Sequence, residues 1–321
     1  MFVLEILVGI VAVLWGADKF TDGASSIARR LNIPEIVIGL TIVAIGTSMP
    51  EFCVSLSAAL QGTDAMAVSN IVGSNIFNAL LIIGCATAAA PFLVSRVTIR
   101  QHIPIALGVS ILLVLFCLDG QLARWEAAIL FVGLIAFMWY MLREARKSSD
   151  VVAAKGRTYT LGWSIFFVVA GLACLVGGSY LFVDGAKIVA RMLGVSDAII
   201  GLTIVAMGTS LPELATSVVA ARKGQGGIAI GNVVGSNIIN ILLILGVTGL
   251  ITPLSVSGLT YVDFGMLVLS MLLLWLMSYT KYKIERWEGV LLSVIFFIYL
   301  AWLIYCAVCG LPSCFPQRFS F

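Results

Sequence analysis

The chain has 321 residues, of which 61% are hydrophobic and 11% are charged, and its formal net charge is +3. Soluble domains carry about 25% charged residues, so this composition excludes a water-soluble fold. The basic residues are scattered between apolar stretches instead of forming one stripe, which argues against a nucleic-acid partner.

Apolar stretches long enough to cross a bilayer recur along the whole chain. A helix needs about 20 apolar residues to span a hydrocarbon core roughly 30 Å thick. The stretches are continuous, not alternating, and therefore predict helices rather than barrel strands. The predicted helices are 2–28, 34–60, 65–90, 102–118, 124–143, 160–190, 196–222, 227–252, 262–280 and 287–309. The first run carries an acid, Glu5, and no basic region before it, so we expect no cleaved signal peptide.

The two halves of the sequence are copies of one unit, because a shift of 162 residues aligns them without a gap. Residues 39–60 face 201–222 with 14 identities in 22 positions, and residues 69–84 face 231–246 with 11 in 16. Each copy contains five predicted helices, an odd number, so the second copy enters the membrane from the opposite side. The sequence therefore predicts inverted repeats, an arrangement common in secondary transporters.

The distribution of basic residues predicts the orientation. Fourteen Lys and Arg residues follow odd-numbered helices, whereas two follow even-numbered helices and Arg318 lies in the tail. Basic loops remain in the cytoplasm, so both termini are expected on the opposite side. The predicted organisation is a first repeat at 1–142, a basic cytoplasmic linker at 143–159, a second repeat at 160–309 and a short extracytoplasmic tail at 310–321.

The second and seventh predicted helices each carry a central glutamate, Glu51 and Glu213, in the pattern Gly-Thr-Ser-x-Pro-Glu. An acid at the bilayer centre costs about 3 kcal/mol on insertion scales, which makes it a functional candidate. The proline before each glutamate removes a helical hydrogen bond, so the carbonyls of Gly46 and Gly208 are expected to be free for cations. Neighbouring oxygens complete each half-site, from Ala44, Thr47 and Ser48 in the first copy and Ala206, Thr209 and Ser210 in the second.

A polar stripe follows in the third and eighth helices, with side chains four residues apart on one helix face. Its members are Asn70, Ser74 and Asn78 in the first copy, and Asn232, Ser236 and Asn240 in the second. Close helix packing is the alternative role for Ser74 and Ser236. All these candidate ligands are oxygens, which favours calcium, magnesium or sodium over transition metals. Calcium fits best because it accepts six to eight oxygens in flexible geometry.

At these residues the sequence resembles the cation/calcium exchanger superfamily, specifically its bacterial and archaeal sodium/calcium exchanger-like members, whose repeats carry GTSxPE and GSNIxN patterns. The resemblance covers essentially the whole chain. It implies an all-α fold of ten transmembrane helices in an inner membrane, with ion sites clustered around the two glutamates. It also implies that sodium drives calcium transport, that no cofactor or obligate protein partner is needed, and that the first and sixth helices slide against the bundle. The implied ligands are Ala44, Thr47, Ser48, Glu51, Ser74, Asn78, Ala206, Thr209, Ser210, Glu213, Ser236 and Asn240.

The sequence argues against two other classes of function, a hydrolase and a channel. An intramembrane hydrolase needs an asymmetric nucleophile and base, and the sequence has no Ser-His-Asp trio and no HExxH motif. A channel could use carboxylate rings, but broken helices in inverted repeats favour alternating access. Within transport, a proton-driven calcium antiporter or a broader cation exchanger is the alternative. Some family members carry an Asp where this chain has Asn240, which leaves proton and potassium use open.

Several remaining polar residues and cysteines are expected to be structural. Charged residues near the ends of the first and sixth helices are expected to reach the interface or to pair with one another: Asp18, Lys19, Asp22, Asp184 and Lys187. His102 is expected in a loop at a helix start. Isolated cysteines are expected to be small buried apolar residues: Cys53, Cys85, Cys117 and Cys174. Near the C-terminus, a disulfide between Cys309 and Cys314 is left open.

Overall fold

The computed structural model describes residues 2–147, 158–192 and 206–309, with the backbone alone at 147, 206, 281 and 307–309. This part of the chain is almost entirely helical. The helices are α1 Phe2–Arg30, α2 Glu35–Thr47, α3 Met49–Leu60, α4 Asp64–Ala89, α5 Thr98–Asp119, α6 Arg124–Lys147, α7 Leu161–Met192, α8 Ala206–Thr209, α9 Leu211–Arg222, α10 Gly226–Ile251, α11 Tyr261–Lys281 and α12 Arg286–Cys309.

Seven of the described helices are long and apolar enough to cross a membrane, and α2 together with α3 forms an eighth, bent span. The predicted helices agree with these bounds to within a few residues. The predicted helix 196–222 begins outside the described residues, as do most of the linker 143–159 and the tail 310–321. The count of ten helices therefore remains a prediction.

The two most enclosed spans are α4 and α10, which carry the polar stripe. In the most apolar stretch of each of these two helices 83% and 94% of the residues are buried, against 22–39% in the other straight spans. The remaining spans expose large apolar side chains on their outer faces, as helices facing lipid do. The polar residues of α4 and α10 therefore lie at the centre of the bundle.

Helices α1 and α7 pack antiparallel along a seam of glycines spaced seven residues apart. The glycine seam consists of Gly9, Gly16 and Gly23 on α1 and Gly171, Gly178 and Gly185 on α7. A Cβ atom at Gly16 would lie 2.7 Å from the Gly171 carbonyl oxygen, and one at Gly171 would lie 2.8 Å from the Gly16 carbonyl oxygen. Only hydrogen fits at these positions, so the two backbones are in direct contact.

Four short strands join the two halves. The strands are β1 Phe92–Leu93, β2 Gln121–Leu122, β3 Leu254–Ser255 and β4 Lys283–Ile284. β1 pairs antiparallel with β4, with Phe92 opposite Ile284, and β2 pairs antiparallel with β3, with Leu122 opposite Leu254. The shift of 162 residues converts β1 into β3 and β2 into β4, so the two pairings are equivalents of each other.

His102 is buried, and the prediction of a loop position was wrong. α5 begins with a π-helical turn, Thr98–His102, four residues before the predicted helix start. The Ser95 hydroxyl satisfies the backbone N–H of Thr98 at 3.1 Å, which supports this earlier start. The ring lies against α6, with His102 Nε2 2.9 Å from Glu144 Oε2.

The cysteines follow the prediction only in part. Cys117 is a buried free thiol, whereas Cys53 is a free thiol that is exposed at the surface of the helix bundle. Cys306 is disulfide-bonded. The side chains of Cys309 and Cys314 lie outside the described residues.

Candidate cation-binding site

Each candidate glutamate follows a break in its helix. Ser48 separates α2 from α3, which are bent by 46°, and Ser210 separates α8 from α9. Their backbone angles, φ −81° and ψ 5° at Ser48 and φ −91° and ψ 9° at Ser210, lie outside the α-helical region. Pro50 and Pro212 occupy the first turn of the following helix. A proline is tolerated there, because a backbone N–H in the first turn has no acceptor within the helix. The prolines therefore account for a break inside each of the predicted helices 34–60 and 196–222.

The serine at each break binds the glutamate of the other half. Ser48 Oγ donates to Glu213 Oε1 at 3.0 Å, and Ser210 Oγ donates to Glu51 Oε1 at 2.7 Å. These two bonds are equivalents under the 162-residue shift. Both glutamate side chains are completely buried. The two halves of the chain thus build one site together.

The site carries buried acid without basic partners. Glu213 lies close enough to Glu51 for electrostatic repulsion. Among the described residues, neither glutamate forms an ion pair with Lys, Arg or His. The Oε2 atom of each glutamate is buried and has no hydrogen-bond partner among the residues that the structure describes. A buried carboxylate needs a compensating charge, and these two oxygens are suited to bind a cation.

Hydroxyl groups surround both carboxylates. Thr47 and Ser236 lie near Glu213, and Thr209 lies near Glu51. The buried Ser236 hydroxyl forms no hydrogen bond with a described residue. Thr47 Oγ1 also donates to Asn232 Oδ1 at 3.0 Å. The structure therefore brings five of the six predicted threonines and serines to the glutamates, namely Thr47, Ser48, Thr209, Ser210 and Ser236.

Asn78 and Asn240 each begin a π-helical turn, Asn78–Ile82 in α4 and Asn240–Leu245 in α10. Such wide turns inside α-helices often mark functional sites. The turn at Asn78 packs against α9, which carries Glu213, and the turn at Asn240 packs against α3, which carries Glu51. Both amides are buried, and Asn240 Oδ1 and both polar atoms of Asn78 have no partner among the described residues.

Ser74 lies one turn before Asn78 on the same helix face. It is buried and its hydroxyl has no partner in the described part of the chain. Two other members of the stripe form hydrogen bonds between neighbouring helices: Asn70 donates to Ser55 at 3.1 Å and Asn232 donates to Ser217 at 3.0 Å. The stripe thus contains both unpaired oxygens and structural amides.

The prediction of free glycine carbonyls was wrong. The Gly208 carbonyl accepts a 2.5 Å hydrogen bond from the Ser179 hydroxyl of α7. The Gly46 carbonyl accepts a backbone N–H of the turn that ends α2. The Ala44 carbonyl accepts the Ser48 N–H at 3.1 Å. Proline removes one donor, but the helix break lets other donors reach the carbonyls.

Sequence reasoning missed three residues near this site. Ser179 lies 18 residues after the α7 start and reaches the second helix break, and no local pattern indicates this contact. Asn75 and Asn237 cross-link α4 and α10. The tripeptide Gly-Ser-Asn, identical in the two copies, is the signal that could have identified both asparagines.

Comparison with known proteins identifies the class. The family model described as sodium/calcium exchanger protein matches residues 1–143 and 163–305. The sodium/calcium exchanger MaX1 of Methanosarcina acetivorans is 36% identical, over 94% of this chain and 98% of that protein. The inner membrane protein YrbG of Escherichia coli is 35% identical, over 93% of this chain and 95% of that protein. A solved structure of the sodium-calcium exchanger NCX_Mj superposes with a TM-score of 0.83 at 33% identity, covering 94% of this chain and 97% of that one.

The fold and these matches define an integral membrane transporter and not an enzyme. The chain belongs to the sodium/calcium exchanger family. The family resemblance stated from the sequence is thereby confirmed, together with a mostly helical membrane fold and transport of inorganic cations.

Proposed function

We propose that the protein exchanges Ca²⁺ for Na⁺ by alternating access at a site built on Glu51 and Glu213. The observation that carries the proposal is the reciprocal pairing in which Ser48 binds Glu213 and Ser210 binds Glu51. Each glutamate keeps one buried oxygen without a partner among the described residues. Their combined charge of −2 balances one Ca²⁺ or two Na⁺, so the two cations compete for the same carboxylates.

The proposed ligands are carboxylate, hydroxyl, amide and backbone oxygens. They are Ala44, Thr47, Ser48, Glu51, Ser74, Asn78, Ala206, Thr209, Ser210, Glu213, Ser236 and Asn240. The set contains no imidazole or thiolate, which favours a hard cation. MaX1 and NCX_Mj are both named as sodium/calcium exchangers, which supports these two ions for this chain.

The proposal includes two inverted five-helix repeats, at 1–142 and 160–309, with the site near the membrane midplane. Equivalent helices α1 and α7 run antiparallel and touch through equivalent glycines, which supports a two-fold axis perpendicular to them. The equivalent strand pairings β1–β4 and β2–β3 support the same axis. The linker 143–159 is placed in the cytoplasm, and both termini with the tail 310–321 outside, on the distribution of basic residues.

Purified protein in liposomes is expected to take up calcium-45 when an outward sodium gradient is imposed at clamped membrane potential. Uptake under an outward proton gradient alone is expected to stay at the level of protein-free liposomes. Uptake driven by protons alone would contradict sodium coupling and favour the proton-driven antiporter. Uptake under neither gradient would contradict calcium as the substrate.

A charged contact links α1 to the turn between α9 and α10. Lys223 Nζ lies 2.7 Å from Asp18 Oδ1 and 2.7 Å from Asp22 Oδ1, and Lys19 Nζ lies 3.0 Å from Asp18 Oδ2. The expected pairing of the α1 charges is therefore present, with Lys223 as a partner that the sequence did not suggest. If α1 moves during exchange, this contact has to break or follow it.

Lys223→Gln is expected to change the maximal exchange rate by a few-fold and to lower the free energy of unfolding by no more than about 1 kcal/mol. The small stability effect follows because all three partly exposed side chains are screened by solvent. The control is Lys187→Gln on α7, since Lys187 forms no ion pair with a described residue. Equal exchange rates in the two variants would contradict a role for the contact in transport.

A further inference from the structure

Asn75 and Asn237 join α4 to α10 by a reciprocal pair of hydrogen bonds. Asn75 Nδ2 donates to the Asn237 carbonyl at 3.1 Å, and Asn237 Nδ2 donates to the Asn75 carbonyl at 3.2 Å. Both residues are buried. The bonds are equivalents under the 162-residue shift, so the two asparagines have the same role in holding the helices together.

Beyond this exchange the two asparagines differ. Asn75 Oδ1 accepts a hydrogen bond from Asn240 Nδ2 at 2.9 Å. The equivalent bond would join Asn78 to Asn237 Oδ1, but these amide atoms are buried without hydrogen-bond partners in the described residues. Asn237 Nδ2 instead contacts a second acceptor, Met271 Sδ, at 3.1 Å. Of the two candidate amide ligands, only the side chain of Asn240 is therefore held in place by a hydrogen bond to a described residue.

The orientation of the Asn240 amide follows from a chain of donors and acceptors. The Asn237 carbonyl can only accept, so Asn75 has to turn its Nδ2 toward it. Asn75 Oδ1 then faces Asn240, and an oxygen without a hydrogen can only accept, so Asn240 has to present its Nδ2. Asn240 Oδ1 consequently points away from Asn75. Asn240 itself begins the π-helical turn that packs against α3, the helix that carries Glu51.

We propose that Asn75 is a positioning residue that fixes Asn240 with its amide oxygen directed toward the cation. This inference rests on the proposed function, in which Asn240 is a ligand. A ligand oxygen held in place before the ion arrives needs no rearrangement on binding, whereas the free amide of Asn78 has to adopt its orientation then. The two repeats thus supply the same residue types, but one amide is preorganised and the other is not.

Asn75→Leu is expected to raise the apparent KM for Ca²⁺ roughly 10-fold to 100-fold, the usual effect of losing a residue that orients a metal ligand. In a protein that already carries Asn240→Ala, Asn75→Leu is expected to change the KM by less than about 2-fold. If Asn75 acts through Asn240, the effects of the two substitutions on the KM do not add. Calcium-dependent thermal stabilisation of the detergent-solubilised protein is the second readout, and it does not require transport. Where Asn75→Leu does not fold, Asn75→Ala removes the same amide with less strain.

Asn237→Leu is the matched control, because it removes the other hydrogen bond of the reciprocal pair and leaves the bond between Asn75 and Asn240 in place. It is expected to lower the melting temperature about as much as Asn75→Leu and to raise the KM for Ca²⁺ much less. An equal rise in KM for Asn237→Leu and Asn75→Leu would overturn the inference. So would an effect of Asn75→Leu on the KM that is as large in the Asn240→Ala protein as in the unsubstituted one. If Asn240→Ala alone leaves the KM unchanged, Asn240 is not a ligand and the proposed site is wrong at this residue. If Asn240→Ala raises the KM but Asn75→Leu does not, the site stands and the positioning role is wrong.

Discussion

Glu51→Gln and Glu213→Gln are each expected to reduce sodium-dependent calcium exchange at least about 100-fold. Removing one partner of a buried ion pair costs roughly 3–5 kcal/mol, which corresponds to more than about 100-fold in cation affinity. Glutamine keeps the size and an oxygen that can accept from Ser210 or Ser48, so the fold is expected to survive. Calcium-45 uptake into liposomes measures the loss, and circular dichroism measures the fold.

The thermal stability of these variants provides an independent readout. Without cations, the melting temperature of each variant is expected to equal or exceed that of the unsubstituted protein, because a buried uncompensated carboxylate has been removed. Added calcium is expected to stabilise the unsubstituted protein and neither variant, since only a bound ligand shifts unfolding. A calcium-dependent rise in melting temperature in both variants would contradict the site.

Two other buried glutamates supply a matched control. Glu126 and Glu288 are related by the same 162-residue shift and are only 5% and 4% exposed. Their carboxylates accept backbone N–H groups of Ala123 at 2.8 Å and Glu285 at 2.7 Å, at the starts of α6 and α12. Glutamine still accepts such a bond, so Glu126→Gln and Glu288→Gln are expected to retain exchange within about 2-fold. A large loss in these variants would mean that exchange is sensitive to any buried acid.

The positions of the helices could be predicted because bilayer thickness fixes the length of an apolar run. The third predicted helix, 65–90, is observed at Asp64–Ala89, and the eighth, 227–252, at Gly226–Ile251. The breaks at Ser48 and Ser210 could also be predicted, since proline cannot donate in a helix interior. Both features depend on residues that are close together in the sequence, so the sequence alone is enough to predict them.

The contacts between different helices could not be predicted in the same way. Ser210 and Glu51 are 159 residues apart, and a repeat shows which residues are equivalent without showing which copy they contact. The partner of the Gly208 carbonyl, Ser179, comes from a different helix. The side-chain amides of Asn78 and Asn240 have the same local sequence pattern, yet within the described part of the chain only that of Asn240 is hydrogen-bonded. Such differences arise from packing between distant segments and leave no local signal.

The glycine seam between α1 and α7 leads to the second large expected effect. Gly171→Ala places a Cβ atom 2.6 Å from the backbone nitrogen of Phe20 and 2.8 Å from the Gly16 carbonyl oxygen. Neither backbone atom can rotate away, so the helices have to separate. Overpacking of this kind costs about 1–3 kcal/mol, and the lost contact cannot be replaced by a hydrophobic force within lipid. Gly171→Ala is therefore expected to lower the melting temperature and to reduce calcium exchange several-fold.

Gly177→Ala, on the same helix, tests this explanation, because its expected effect on the melting temperature is not a fall. A Cβ atom at Gly177 meets no atom within 4 Å, and the residue lies on the exposed face of α7. Alanine in a helix interior is more stable than glycine by about 0.5–1 kcal/mol, so the melting temperature is expected to stay level or rise. Since the two substitutions add the same methyl group six residues apart, helix propensity alone predicts the same sign for both. A fall for Gly171→Ala with none for Gly177→Ala would assign the effect to the contact between α1 and α7, and a rise for both would contradict the seam.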